Sequence, residues 1–273
     1  MTRQELIQAI TKKETYLCVG LDTDIEKIPG HMRMRHDAQF EFNKQIIDST
    51  LDHCVAYKIN TAFYESQGSK GWEALEKTVS YIPSTHFTIA DAKRGDIGNT
   101  ATQYARAFFE TMNFDAITVA PYMGADSVLP FLAYPGKWAI VLALTSNKGA
   151  QDFELLNTLS GSLYERVLEK TAGWGTIENL MFVVGATKPL MLREIRKNYP
   201  SHFFLVPGVG AQGGDLEKLS EAGLTEDGGL LVNASRAIIF ASDGPDFARA
   251  ARDRAKQYHQ EMQRYWDRNQ SSF

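Results

Sequence analysis

The feature that most restricts the fold of this chain is a repeat: eight short apolar runs, each followed by a stretch with helical spacing. The runs are Tyr16–Leu21, Val55–Ile59, Phe87–Ala90, Ala116–Ala120, Trp138–Leu144, Leu180–Val184, Phe203–Val206 and Gly229–Val232. They are near-continuously apolar, which suits parallel strands covered on both faces, and their ends carry Gly, Pro, Asp or Asn, the residues that turn a chain. The segments between them have the other period. Ile97, Ala101, Tyr104, Ala105, Phe108 and Met112 recur at i, i+3/i+4. Thr187 and Pro189 open a helix before Met191, Leu192 and Ile195, and Pro245–Asp267 reads as a long closing helix. Eight β-then-α units with no linker or shift in composition predict an α/β fold, a single (β/α)₈ TIM barrel domain spanning residues 1–273. A doubly wound open sheet is the alternative, but the first run ends Val19-Gly20-Leu21-Asp22 with no dinucleotide-binding glycine fingerprint after it. The long connections are Asp24–Asp37 and Ser146–Leu159. The second follows strand 5 on the face where barrels keep their sites, so it is expected to form a mobile lid.

Charge and composition exclude several classes of function. The net charge is −4 with both signs spread along the chain, so there is no basic footprint for nucleic acid. A few local cations can still bind a phosphorylated small molecule. Met1–Thr15 lacks the basic head and apolar centre of a secretion signal, and the longest strongly apolar stretch, Trp138–Leu144, is too short to span a bilayer. A cytoplasmic protein is expected, with Cys18 and Cys54 as reduced thiols in the core. The six histidines are scattered without metal-binding spacing, so no metal is expected, and neither nucleophile elbows nor Walker motifs occur.

In a barrel of this kind the strand ends feed the site. Strand 1 ends at Asp22, strand 2 at Lys58 and Asn60, and strand 3 at Asp91 and Lys93, with Asp96 just beyond. Two residues apart on a strand, Asp91 and Lys93 are expected on one side. There each favours the charged form of the other, and Lys58 can join from the neighbouring strand. A salt-bridged barrel mouth is the plain structural alternative. Strand 7 runs into Pro207-Gly208-Val209-Gly210-Ala211-Gln212-Gly213-Gly214, whose backbone N–H groups can approach an anion closely where no Cβ intervenes. Strand 8 ends Asn233-Ala234-Ser235-Arg236, adding a guanidinium fork. The loops after strands 7 and 8 are where barrels hold phosphate; two ordinary βα turns are the alternative. Strand 5 ends Leu144-Thr145-Ser146-Asn147, with hydroxyl and amide groups suited to a polar heterocycle.

Asp91-Ala-Lys93-Arg-Gly-Asp96-Ile97-Gly-Asn-Thr100 resembles the D-x-K-x-x-D-I signature of the orotidine 5′-monophosphate decarboxylase family. The resemblance extends through Val19-Gly-Leu-Asp22, Tyr57-Lys58-Ile-Asn60, Leu144-Thr-Ser146, Pro207-Gly-Val-Gly-Ala-Gln212 and Ser235-Arg236, essentially the whole chain, and is to the longer bacterial branch. It implies a homodimeric TIM barrel converting orotidine 5′-monophosphate to UMP and CO₂, the last step in making UMP, with no cofactor. It further implies that Lys58, Asp91 and Lys93 act in one site, with Lys93 protonating C6, and that Asp96 crosses the dimer interface into the partner's site. Asp22 and Thr100 would contact the ribose, Thr100 from the partner. Asn60 would line the site, and Ser146 or Asn147 would meet the pyrimidine. Gln212 and Arg236 would grip the phosphate over Gly208 and Gly210, and Ser235 would also contact the substrate. No phosphoribosyltransferase segment accompanies the barrel pattern, so a monofunctional protein is expected. Related sugar-phosphate enzymes share D-x-K-x-x-D but use Mg²⁺ with a carboxylate at the end of strand 2, where this chain has Lys58. A silent phosphate-binding barrel would need the glycine loop and Arg236 but not the Lys58/Asp91/Lys93 set.

Overall fold

The computed structural model describes residues 1–209 and 214–271. Eight parallel strands close into a barrel: β1 (Leu17–Gly20), β2 (Ala56–Asn60), β3 (Phe87–Arg94), β4 (Ala116–Val119), β5 (Trp138–Leu144), β6 (Leu180–Val184), β7 (Phe204–Pro207) and β8 (Leu230–Ala234). Each pairs with its successor, and β8 pairs with β1, Cys18 opposite Asn233. The predicted barrel is therefore present, with strand ends shifted by a residue or two. The one large shift is β3, expected to end at Ala90 and running to Arg94.

The strands read as apolar runs because both faces are buried. Cys18, Ala56, Ile89, Ala116, Ile140, Met181, Leu205 and Leu231 fill the barrel, and Trp138, Phe203, Leu6, Ile10 and Trp266 belong to the same cluster. The alternate residues, among them Val19, Tyr57, Ile117, Val141, Phe182, Val206 and Val232, pack outward on the helices. Each large side chain so buried contributes about 1.5–3 kcal/mol. Cys18 and Cys54 are buried free thiols. The closing helix is Phe247–Gln270, packed through Ala251, Ala255, Tyr258 and Met262. Among the described residues no helix is long and apolar enough to cross a membrane.

The helix Arg3–Lys13 ends in a polar knot. Lys13 Nζ donates to the carbonyls of Leu51 and Cys54 at 2.7 Å each and lies 2.9 Å from His86 Nε2. His259 Nε2 meets the Lys13 carbonyl at 2.7 Å, and His53 Nδ1 lies 3.3 Å from His259 Nδ1. Burial pushes His53, His86 and His259 below the ordinary value of 6.5. The unfolded chain therefore takes up these protons first. The stability linked to the neutral rings is present above about pH 6.5 and is lost as pH falls toward the depressed native values. The urea midpoint is expected to be lower at about pH 5.5 than at about pH 7.5, and His53→Gln should narrow that difference. Equal midpoints in the parent protein would show that the rings titrate alike folded and unfolded.

Candidate active site

The ends of β1, β2 and β3 lie side by side, with Gly20 opposite Lys58 and Asn60 opposite Asp91. Lys58 Nζ donates to Asp22 Oδ1 at 3.1 Å and to Asp91 Oδ2 at 2.8 Å, and Lys93 Nζ donates to Asp91 Oδ1 at 2.5 Å. Side-chain exposure separates the two lysines: 3% for Lys58 against 51% for Lys93, with Asp91 at 12%. An unpaired buried ammonium costs several kcal/mol. Burial does oppose the charge on Lys58, but Asp22 and Asp91 outweigh it and hold the group above the ordinary lysine range. Burial likewise opposes ionisation of Asp91, and Lys58 and Lys93 outweigh it, holding the carboxyl well below the usual carboxylate range. The result is an ionised aspartate anchored from beneath by a sealed lysine and carrying an open lysine at the mouth.

Asp91 and Lys93 do converge, but not by simple strand alternation. The β3–β4 register shifts between Ala90 and Arg94, and Lys93 has φ +48°. A non-glycine residue in that left-handed region costs about 1–2 kcal/mol, and such conformations cluster at functional sites. Asp96 is half-buried, its Oδ1 accepting from Ile97 N at 2.8 Å. Among the described residues no ion pair joins it to Lys93. Thr100 is exposed on the helix Gly98–Arg106. Nearby, Ile97, Tyr122 and Met123 are exposed, and a Cβ built on Gly95 would lie 3.7 Å from Met123 Cε.

Across the mouth, Gly208 has φ +102°, a conformation that favours glycine. Val209 bridges to Gly214; Gly210 and Gln212 lie outside the described residues. Ser235 Oγ donates to the Gly20 carbonyl at 3.1 Å, tying β8 to β1, and Arg236 is exposed at the start of the short helix Arg236–Ile239. Asn60 sits at the rim, its Oδ1 accepting from Ala62 N at 3.2 Å. After β5, Thr145 donates its N–H to Glu154 Oε2 at 2.7 Å, and its hydroxyl lies 2.7 Å from Glu154 Oε1 and 2.5 Å from Asn147 Oδ1. Asn147 is exposed, while Ser146 is half-buried against β6, where a Cβ on Gly185 would come within 2.7 Å of Ser146 N. The Ser146–Leu159 connection holds a 3₁₀ turn, Lys148–Gln151, and the first strand of a hairpin pairing Asn157–Thr158 with Gly161–Ser162. Phe153, Leu156 and Leu159 stand exposed on it. Among the described residues no group of three or more His, Cys, Asp or Glu is placed to hold a metal ion.

Residues 15–251 match the orotidine 5′-phosphate decarboxylase / HUMPS family. The chain belongs to this family. Among proteins named orotidine 5′-phosphate decarboxylase, that of Phocaeicola vulgatus is 55% identical over 268 residues, covering 97% of this chain and 98% of the relative. That of Flavobacterium johnsoniae is 56% identical, covering 96% and 97%. The structure of the Leishmania donovani OMP decarboxylase superposes with a TM-score of 0.84 at 38% identity, over 98% of this chain and 99% of the other. A Toxoplasma gondii structure described as a putative orotidine-monophosphate-decarboxylase gives 0.89 at 34% identity, over 98% of each chain.

Within this family barrel the structure adds residues that sequence reading passed over. Thr118 on β4 is buried against Asp91 and Lys93. A threonine in an apolar strand reads only as a β-former. Glu154, in the strand-5 loop, anchors Thr145, a contact between residues whose spacing carries no recognisable signal. Gly185 admits Ser146 to β6, and Gly20 admits Ser235, whose Cβ would lie 2.7 Å from a Cβ there. Arg94, beside Lys93 but facing the helices, pairs with Glu65, donates to the Ala92 carbonyl at 3.0 Å and lies over the rings of Tyr104 and Phe108. Asn233 Oδ1 is buried without a hydrogen-bond partner among the described residues.

Proposed function

We propose that this chain decarboxylates orotidine 5′-monophosphate to UMP and CO₂, as a homodimer of one barrel domain per chain and without metal or organic cofactor. The observation that carries this reading is Asp91 held between sealed Lys58 and open Lys93 at the mouth of the barrel. Full-length identity of about 55% to proteins named for that activity supports it.

Breaking the bond from C6 to the carboxylate leaves its electron pair on C6, in the plane of the ring. The ring π-system cannot delocalise that pair, so fixed electrostatics must stabilise it. Lys93 faces the developing anion, then transfers a proton to C6 as CO₂ leaves; the neutral amine recovers its proton from water. Asp91 keeps Lys93 charged and aimed, and its charge disfavours the substrate carboxylate beside it. Lys58, saturated by Asp22 and Asp91, holds Asp91 ionised. Asp22 faces the ribose, and Asn60 lines the site. Ser146 reads the pyrimidine in preference to Asn147, because the Asn147 carboxamide is turned to Thr145 and exposed. Gly208, Gly210, Gln212 and Arg236 receive the phosphate. Asp96 and Thr100 serve the partner's site, and the exposed Ile97, Tyr122 and Met123 beside them suit burial against a second copy.

Loss of the orotate absorbance band on adding enzyme, unaffected by EDTA, is the expected result; no turnover of orotidine monophosphate would defeat the proposal. Phosphate binding remote from C6 can still lower the barrier by closing the Ser146–Leu159 loop and positioning the base. Removing Arg236 and Gln212 together is therefore expected to lower kcat/KM by roughly 10²–10³-fold or more. An unchanged kcat/KM would remove the phosphate grip from the mechanism.

A further inference from the structure

The register between β3 and β4 isolates one residue. Ala90 pairs with Ile117, and Arg94 pairs with Val119. Between those pairs Asp91, Ala92 and Lys93 face Thr118 alone. Thr118 is 1% exposed. Its Oγ1 accepts from the backbone N–H of Lys93 at 2.9 Å and donates to Asp91 Oδ1 at 3.1 Å. A hydroxyl has one proton to give and lone pairs to receive. The ionised carboxylate can only accept and the peptide N–H can only donate, so both roles are used and their directions are fixed.

We propose that Thr118 is a positioning residue for the decarboxylation proposed above: its hydroxyl locks Lys93 in its left-handed backbone conformation and thereby sets the Lys93 ammonium on Asp91. The bulge takes the Lys93 N–H off the regular ladder, and the Thr118 hydroxyl is the partner it finds. A left-handed lysine persists only where its surroundings over-determine it. The same oxygen touches the Lys93 backbone and the Asp91 carboxylate, so losing it releases the backbone and removes one of the donors that orient Asp91 Oδ1. Displacement of a reacting group by about 1 Å is enough to cost about 10²-fold in rate.

The test compares Thr118→Val, which keeps the shape and removes both hydrogen bonds, with Thr118→Ser, which keeps the hydroxyl. Crystal structures without substrate are expected to show Lys93 out of the left-handed region, or its Nζ more than ~3.5 Å from Asp91, in the valine variant only. With orotidine monophosphate, the valine variant should lose about 10²-fold in kcat with KM within about threefold, and serine should stay within about threefold of the parent. Unchanged Lys93 geometry in Thr118→Val overturns the proposal, as does a serine variant as slow as the valine one, which would assign the effect to packing of the methyl group. If the valine variant does not fold, Thr118→Cys serves. Its thiol is a poor donor and acceptor, so retention of the parent's Lys93 geometry and rate would overturn the proposal. A parent protein inactive on orotidine monophosphate defeats the proposed function instead, and the crystallographic comparison still decides the role of Thr118.

Discussion

Lys93→Ala is expected to lower kcat on orotidine monophosphate by at least ~10⁴-fold, about 5.5 kcal/mol of barrier, with a much smaller change in KM. The size follows from the two roles proposed for one nitrogen. Proton delivery in the transition state contributes about 10²–10⁴-fold, and a preorganised charge facing a developing anion about another 10²–10³-fold. Lys93 is the group placed for both, because Lys58 is sealed beneath Asp91 with its ammonium committed to two carboxylates. Lys93→Arg should not restore the rate, since a guanidinium stays protonated and a planar fork does not replace a point charge. The substitution lies at a half-exposed side chain, so a thermal midpoint close to the parent's is expected and a loss of fold cannot stand in for a loss of chemistry. A kcat within about tenfold of the parent would exclude Lys93 as the proton donor.

The second large effect is a gain. Lys93→Ala and Asp96→Asn chains are each expected to be nearly inactive alone, yet active when mixed as hybrid dimers. A site uses its own Lys93 and its partner's Asp96 in the proposed arrangement. A hybrid therefore collects both lesions in one site and leaves the other intact. Equal, random pairing makes about half the dimers hybrid, so about a quarter of the parent's activity should return. This bears directly on the geometry of one chain, in which Asp96 is half-buried and pairs with no lysine among the described residues. Tagging the two chains differently and purifying the doubly tagged species secures the hybrid. No activity in that species would leave Asp96 without a role across the interface.

The barrel was legible because both faces of every strand are buried, which writes the strands as apolar runs, and because the helices between them keep their own period. Lys58, Asp91 and Lys93 were legible as strand-end charges. How they meet was not: alternation predicts a shared side, whereas the chain uses a bulge and a left-handed lysine. No residue type marks a bulge of that kind in advance, since Lys93 is not a glycine. Thr118 was hidden for a related reason. Its partners are 25 and 27 positions away, and only the β3–β4 register reveals that it faces the bulge. The strand-5 loop was recognisable by length, but its hairpin and the Glu154 anchor depend on side chains meeting over short, non-periodic spacings.

Arg94 carries the remaining consequence. It pairs with Glu65 and lies over the rings of Tyr104 and Phe108, so it ties the end of β3 to the helix Gly98–Arg106 and the turn after it as one packed piece. Where strand passes into helix, that piece presents Lys93 to its own barrel mouth and, seven residues on, the exposed Thr100. If Thr100 and Asp96 serve a second barrel, the two mouths are mechanically linked through a single strand and helix, and neither half of the assembly can drift in sequence around this piece without retuning the other.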